Sequence, residues 1–434
     1  MIRSGTRTYV GFGFGAIQAG LFLYEASRTD AFGRLVVAEV MPDIVEAVRS
    51  ANGYFAVNIA HAERIEQVTV GPVAVENPAE ETDRARLIDA IAEAEEIGTA
   101  IPSVSYYASD APGSLHRVLA QGLRRKIKTG GPRAIVYAAE NHNRAAEILE
   151  EHVMSEIPAA EHAAVHDRVR FLNTVIGKMS GVVADPDELQ TQKLKPAFPG
   201  SARAFLVEAF NRILISQIHF DAPFERGIAV FEEKADLLPF EEAKLYGHNA
   251  THALAAYLGN LCGVSFISEL REIPGALAFL REAFLEESGA ALIKKYTHSD
   301  PLFTDAGYTA YADDLLTRMM NPYLRDSTER VGRDPTRKLG WNDRLIGTMR
   351  LARAQNIVPR RFALGAAAAL AMLDQQNIEA RIPIEPALTA IWHDANPDRA
   401  EAAIMLKLIE GARNHLRSAM SGESSQLFVR LMRN

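Results

Sequence analysis

The chain has 434 residues, room for two or three domains. Apolar residues make up 48% and charged residues 24%, a soluble globular balance that excludes wholesale disorder, and the single cysteine, Cys262, excludes a disulfide framework or a multi-thiolate metal site. The formal charge of −8, from 47 basic and 55 acidic residues, argues against a nucleic-acid partner.

The opening residues carry no apolar run of signal-peptide length. Residues 8–10 form a β-prone run that meets a glycine cluster, and 16–26 have helical spacing through Ile17, Leu21, Leu23 and Tyr24. A second strand is expected at 34–40, a helix at 43–50, and further strands at 54–59 and 68–75. Helical spacing returns at 87–96, a small strand at 98–101 stops at Pro102, and 114–128 are helical. A strand at 133–138, an acidic helix at 143–154 and a strand at 169–176 follow. Strands spaced by helices imply one parallel sheet with right-handed crossovers. Residues 185–200 turn polar and Pro-rich, so the boundary is placed near 185: an α/β domain over 1–185, then a mostly helical domain over 186–434. The stretch 205–231 could still hold strands. From Pro239 the 3.6-residue period dominates, at 240–262, 274–296, 307–320, 342–355, 360–375, 385–393 and 397–419. The Ala-rich run 362–373 is too short to span a bilayer and reads as a buried helix. A soluble, cytoplasmic protein with no membrane partner is expected.

The first strand runs into Gly11-Phe12-Gly13-Phe14-Gly15-Ala16, which fits the G-x-G-x-x-G/A dinucleotide fingerprint. Gly11 is assigned the tight turn, Gly13 the close approach of the pyrophosphate, and Ala16 the packing of helix on strand, with Gly15 in the same loop. The helix N-terminus supplies unpaired N–H groups and a positive dipole end. Glu39 ends the second strand, 23 residues after Ala16. A carboxylate there accepts ribose hydroxyls and repels a 2′-phosphate, so NAD is expected over NADP. The bland alternatives are an ordinary Gly-rich turn and a solvated glutamate.

The most informative stretch is Glu241-Glu-Ala-Lys-Leu-Tyr-Gly-His-Asn-Ala-Thr-His252, leading into apolar Leu254, Ala255, Tyr257 and Leu258. On an α-helix with Lys244 at zero, His248, His252 and Asn249 fall at about 40°, 80° and 140°. One side thus carries a lysine, an amide and two imidazoles. A polar helix start with a buried histidine is the competing explanation.

Lys244-x4-Asn249-x2-His252 resembles the signature of the polyol-specific long-chain dehydrogenases, the mannitol dehydrogenase family. Glu286-Glu-Ser-Gly-Ala-Ala-Leu-Ile-Lys-Lys-Tyr296, Asn321-Pro-Tyr-Leu-Arg-Asp-Ser-Thr-Glu-Arg-Val-Gly-Arg-Asp-Pro-Thr-Arg-Lys-Leu339 and Asp343-Arg-Leu-Ile346 are most similar to its mannitol-1-phosphate branch. The resemblance implies a Rossmann-type domain followed by a helical domain, no metal, and NAD-dependent interconversion of a polyol phosphate and a ketose phosphate. Mannitol 1-phosphate and fructose 6-phosphate are the prototype pair. A non-phosphorylated polyol or a hexuronate is the alternative substrate, and a nucleotide-binding protein without turnover the alternative class. Carried over by position, Lys244 is the catalytic acid/base, Asn249 and Asn141 hold the reacting oxygen, His252 contacts a substrate hydroxyl, and Arg330 and Lys338 bind substrate.

The chemistry agrees with these roles. A lysine takes a hydroxyl proton only if burial and cationic neighbours lower its pKa, and carboxamide donors stabilise a developing alkoxide. Arg333, Arg337 and Arg344 add the cation density a phosphate wants, unless they only pair with Asp334, Asp326 and Asp343. The chain departs from the family at Gly177 and Lys178, where an acid and an arginine are expected, at Ile17, and at Pro102. Lys178 could add a cation for an anionic substrate. His162 and His166 read as a solvated helix face, Cys262 as core, Trp341 and Trp392 as packing, and 79–96 as an exposed charged helix.

Overall fold

The computed structural model describes residues 5–373 and 383–432. The described chain forms two compact units, Met1–Leu238 and Pro239–Asn434. The first contains the strands β1 (Arg7–Phe12), β2 (Phe32–Ala38), β3 (Phe55–Ala60), β4 (Ile65–Val70), β5 (Ala74–Glu76), β6 (Ala94–Thr99), β7 (Ala134–Ala138), β8 (Val169–Val175), β9 (Ser180–Val183), β10 (Ala204–Glu208), β11 (Ile213–Ser216) and β12 (Phe231–Lys234).

The main sheet has the order β12-β11-β8-β7-β6-β1-β2-β5. Its pairs from β8 to β5 are parallel, as the strand–helix alternation requires. β11 pairs antiparallel with β8 and parallel with β12. A second sheet, β4-β3-β10-β9, was not foreseen. The third expected strand lies in it, not beside β2. The expected strand 68–75 is split between the sheets, into β4 and β5. The break falls at Gly71, whose φ of 133° is closed to side chains, and at Pro72, which has no N–H for a ladder.

The units divide at Leu238/Pro239 rather than near 185. β10 returns to pair with β3, and β11 with β8. The polar stretch that suggested a boundary is a short helix, Pro186–Thr191, and its flanking turns. The expected helix 87–96 also ends early: Glu81–Glu93 is helical and β6 starts at Ala94. Glu96 is a strand residue because its buried carboxylate has partners across the sheet, the Tyr137 hydroxyl at 2.8 Å and the Gly227 N–H.

The helix that follows the glycine loop is buried on all sides from Gln18 to Ala26. It packs against strands of both sheets, and Gly20 permits this, since a Cβ there would lie 2.4 Å from Val207. Phe14 joins the same core, with Phe55 and Phe205 at ring distances of 5.0 and 5.6 Å. A separate core holds Leu87, Ile91, Leu119, Leu123, Leu149 and Val153 from the helices Glu81–Glu93, Leu115–Thr129 and Ala145–Ser155.

The second unit is helical, as expected. Its spine is the buried helix Ala250–Leu261, packed by Arg360–Leu373 and Thr328–Gly332, with Arg399–Met420 against Arg360–Leu373. The small residues of Arg360–Leu373 allow that approach; a Cβ on Gly365 would lie 2.8 Å from Leu254. The expected end of this helix, 374–375, lies outside the described residues. Trp341 and Trp392 pack edge to face at 4.9 Å, and the Trp392 indole donates to the Leu339 carbonyl. Among the described residues no helix is long and apolar enough to cross a membrane.

Candidate active site

The glycine loop leaves β1 at the C-terminal edge of the parallel sheet, the edge where open α/β sheets bind ligands. Its glycines divide their work differently from expectation. Gly11 is still a strand residue, paired to Val37 and Gly98, and leaves room for the Gln18 amide, 2.2 Å from where a Cβ would sit. Gly13 makes the turn, with φ of 83°, and its N–H donates to the Ala38 carbonyl at 2.9 Å. A Cβ on Gly15 would meet nothing within 4 Å, so the loop is open at Gly15. Ala16 is buried at the helix start, as the fingerprint requires. Glu39 is buried too. One of its oxygens accepts the Phe14 N–H at 2.9 Å, and the other accepts those of Val40 and Met41 at 2.7 and 2.9 Å. A carboxylate has about four acceptor positions, so capacity remains for a ribose hydroxyl. The open space above Gly15, the helix start and Glu39 together fit a dinucleotide.

Asn141 is exposed in the loop after β7, next to the buried Glu140. Lys178 does not supply a cation for substrate. It is buried, and its ammonium donates to the carbonyls of Glu208 and Phe210 and to the Asn211 side chain. His162 faces the carbonyls of Met154 and Ile157, and His166 lies 3.3 Å from Glu150.

In the second unit the polar cluster sits on Ala243–Asn249, where the helix widens into π turns. With i→i+5 bonding, residues five apart stand almost above one another. Lys244 and Asn249, about 140° apart on an α-helix, therefore come onto one side. Gly247 allows the wide turn to press on Phe284 and Tyr308, with a Cβ position 2.7 Å from the Phe284 ring and 2.6 Å from the Tyr308 hydroxyl. A second π segment, Ala283–Gly289, packs against the first.

Burial, and then the Arg344 guanidinium, lower the Lys244 pKa from 10.5 to about 8, with Glu241 opposing. The same two causes, in the same order, bring Lys338 to about 8. The Lys338 ammonium donates to the Arg333 carbonyl. His248 is buried, and burial followed by His252 holds it well below the usual imidazole range. His252 is mostly buried, with Nε2 2.9 Å from the buried carboxylate of Asp326. The other Asp326 oxygen accepts from Arg330. Arg344 is mostly buried, its Nε 2.8 Å from Asp343.

His252 and Arg330 thus flank Asp326, while Lys244 and Lys338 both lie in the field of Arg344. Arg333 and Arg337 stay exposed at the surface, Arg337 beside Asp334 at 3.5 Å. Asp326 enters the sequence reading only as a pairing partner of the basic loop, and Arg344 only as added cation density for a phosphate; the structure places Asp326 against His252 and Arg330, and Arg344 against Asp343. The i,i+4 spacing of Asp326 and Arg330 is a signal for the first; no sequence spacing reveals that Arg344 faces Lys244.

Comparisons with known proteins agree with this architecture. The Mannitol dehydrogenase Rossmann domain profile matches residues 7–222, and the Mannitol dehydrogenase C-terminal domain profile matches residues 236–411. The chain is 31% identical over 339 residues to a mannitol-1-phosphate 5-dehydrogenase of Bacillus licheniformis, covering 77% of this chain and 80% of that protein. Two solved structures share the fold at lower identity. Mannitol 2-dehydrogenase of Pseudomonas fluorescens, in a ternary complex with NAD and D-mannitol, has a TM-score of 0.73 at 17% identity, covering 100% of this chain and 96% of that one. A substrate-free D-sorbitol dehydrogenase has a TM-score of 0.76 at 14% identity, covering 99% and 96%. The chain belongs to the mannitol dehydrogenase family of oxidoreductases, with a Rossmann domain followed by the family's C-terminal domain.

Proposed function

We propose that this protein interconverts an open-chain polyol phosphate and its ketose phosphate with NAD, in the manner of mannitol 1-phosphate and fructose 6-phosphate. The observation that carries the proposal is Lys244, brought to about 8 on a π turn beside Asn249. Near neutral pH such an amine is neutral often enough to take a proton and charged often enough to return it. NAD supplies the hydride acceptor when bound. In oxidation, neutral Lys244 takes the proton of the substrate hydroxyl while the carbon gives up its hydride, leaving a ketone and an ammonium. Asn249 and Asn141 offer carboxamide N–H groups to the reacting oxygen. His252 contacts a neighbouring hydroxyl, oriented by Asp326. Arg330 and Lys338 bind substrate, and Arg333 and Arg337, on the exposed loop, take the phosphate. Glu39 favours NAD over NADP. The identity to a mannitol-1-phosphate 5-dehydrogenase supports the phosphorylated substrate.

A second reading, a non-phosphorylated polyol or hexuronate, is favoured by one feature. Arg330, Arg337 and Arg344 each already face a carboxylate, of Asp326, Asp334 and Asp343 respectively. The test follows nicotinamide absorbance with fructose 6-phosphate, fructose, tagaturonate and fructuronate, each with NADH and NADPH. Rapid loss with fructose 6-phosphate and NADH alone is expected. Turnover of only a non-phosphorylated ketose transfers the assignment to the second reading. Arg333→Ala and Arg337→Ala should each raise KM about tenfold for the phosphorylated substrate alone, the loss of roughly one charged hydrogen bond.

A further inference from the structure

The strand ends beneath the glycine loop are stitched in a row. The Gly13 N–H donates to Ala38, the Ala100 N–H to Phe12 at 3.0 Å, and the Ala139 N–H to Thr99 at 3.0 Å. Glu140 comes one residue later, and its side chain turns back under this row. Its carboxylate accepts the Thr99 hydroxyl at 2.8 Å, the Ile101 N–H at 2.9 Å and the Tyr107 hydroxyl. Thr99 and Tyr107 are fully buried and Glu140 is 5% exposed. Burial raises the Glu140 carboxyl, and burial with the adjacent carboxylate raises the Tyr107 hydroxyl, which keeps Tyr107 a donor. The segment held by these bonds is also what Gly13 rests on: a Cβ at Gly13 would lie 2.9 Å from the Ala100 carbonyl and 3.1 Å from Ile101. The residue after Glu140 is Asn141.

We propose that Glu140 is a positioning residue for both cofactor and substrate: one buried carboxylate fixes the turn that supports the glycine loop and the backbone that presents the Asn141 amide. A carboxylate suits this place because it only accepts, with positions for all three converging donors. A glutamine keeps one acceptor oxygen for Ile101 and turns its NH2 toward hydroxyls that must rotate to receive it. An alanine takes this acceptor from the Tyr107 hydroxyl and the Ile101 N–H and leaves the Thr99 hydroxyl the Tyr137 carbonyl at 3.4 Å. The kinetic part rests on the assignment of Asn141 to the reacting oxygen; the cofactor part rests only on the loop.

The test compares wild type, Glu140→Gln and Tyr107→Phe as full-length proteins. NADH binding is followed by the emission of the bound nicotinamide, thermal unfolding by circular dichroism, and turnover with hydrogen or deuterium at the transferred position. In Glu140→Gln we expect a folded protein, weaker NADH binding with altered emission, kcat lower by about tenfold or more with KM little changed, and a larger isotope effect, because small misplacements of reacting groups slow chemistry steeply. Tyr107→Phe should move the same quantities less. Wild-type kcat, isotope effect and NADH emission in both variants would overturn the proposal, as would a change in unfolding temperature alone. If wild type turns over no ketose of the panel, the substrate assignment has failed, and the NADH titrations decide about Glu140 by themselves.

Discussion

Lys244 shows how far its surroundings reset a side chain's hold on a proton. An exposed lysine would hold its proton through the physiological range; burial and Arg344 bring this one to about 8. Lys244→Ala should abolish turnover and leave NADH affinity, read by fluorescence titration, unchanged. Retained turnover would refute the acid/base role. The pH profile has a definite sign. Alcohol oxidation needs the neutral amine and should rise through about pH 8, whereas ketone reduction needs the ammonium and should fall through the same point. Arg344→Met removes the nearby cation, so the inflection should move upward. The glycines give a second pair of outcomes. Gly13→Ala forces a side chain into a φ of 83° and against Ala100, and should lower stability by about 1–2 kcal/mol in urea unfolding. Gly15→Ala has room for its methyl group and should keep stability while weakening NADH binding.

Among the described elements, π turns occur at three places. Gln18–Leu23 follows the glycine loop, Ala243–Asn249 carries Lys244, and Ala283–Gly289 packs against the Lys244 turn. The third also holds Glu287, whose buried carboxylate accepts the N–H groups of Arg361 at 2.8 Å and Phe362 at 3.1 Å at the start of Arg360–Leu373. Glu287→Ala leaves two helix-end donors unpaired and should cost about 1–2 kcal/mol in urea unfolding. Burial pushes the Glu287 carboxyl up from 4.5 to about 7 despite Arg361. The folded chain therefore binds this proton more tightly than the unfolded chain. The group's contribution to stability is complete below about pH 4.5 and is lost as pH rises through about 7. Glu287→Gln should flatten that part of the stability–pH curve.

Most elements were legible because local periodicity and burial agree: the amphipathic helix Leu115–Thr129 and the apolar β7 announce themselves. Glu95 and Glu96 misled because two acidic residues after a helix look like more helix, while the partner that makes Glu96 a strand residue, Tyr137, is 41 positions away. The widening of Ala243–Asn249 was not legible either. It depends on Gly247 meeting Phe284 and Tyr308, which come from other helices.

At the scale of the whole molecule, each unit carries its own share of the assigned chemistry, the nucleotide loop in Met1–Leu238 and the lysine cluster in Pro239–Asn434. A ligand that binds only the folded state stabilises it by mass action, so NADH at about 100 times its Kd should add about 2.7 kcal/mol to unfolding. The midpoint should rise with NADH in wild type and much less in Gly15→Ala. Exposed Arg333 and Arg337 also imply a salt effect. The KM for a phosphorylated substrate should rise with ionic strength, while that for a neutral ketose should not.

By itself the sequence determined the order of the two architectures and the glycine loop between the first strand and its helix. Both are written in local periodicity and short spacings that backbone geometry reads directly, whereas Lys244 and Asn249 come onto one side only through the π turn. Only the tertiary structure decided that residues 204–234 belong with the first unit, that β3 leaves the main sheet for a second one, and that Lys178 is buried on backbone carbonyls. It likewise decided that Arg344 acts on two lysines and that the Glu140 carboxylate gathers donors from Thr99, Ile101 and Tyr107. These depend on which distant segments pair and on which charges lose water together, and both quantities come into being only when the chain has folded.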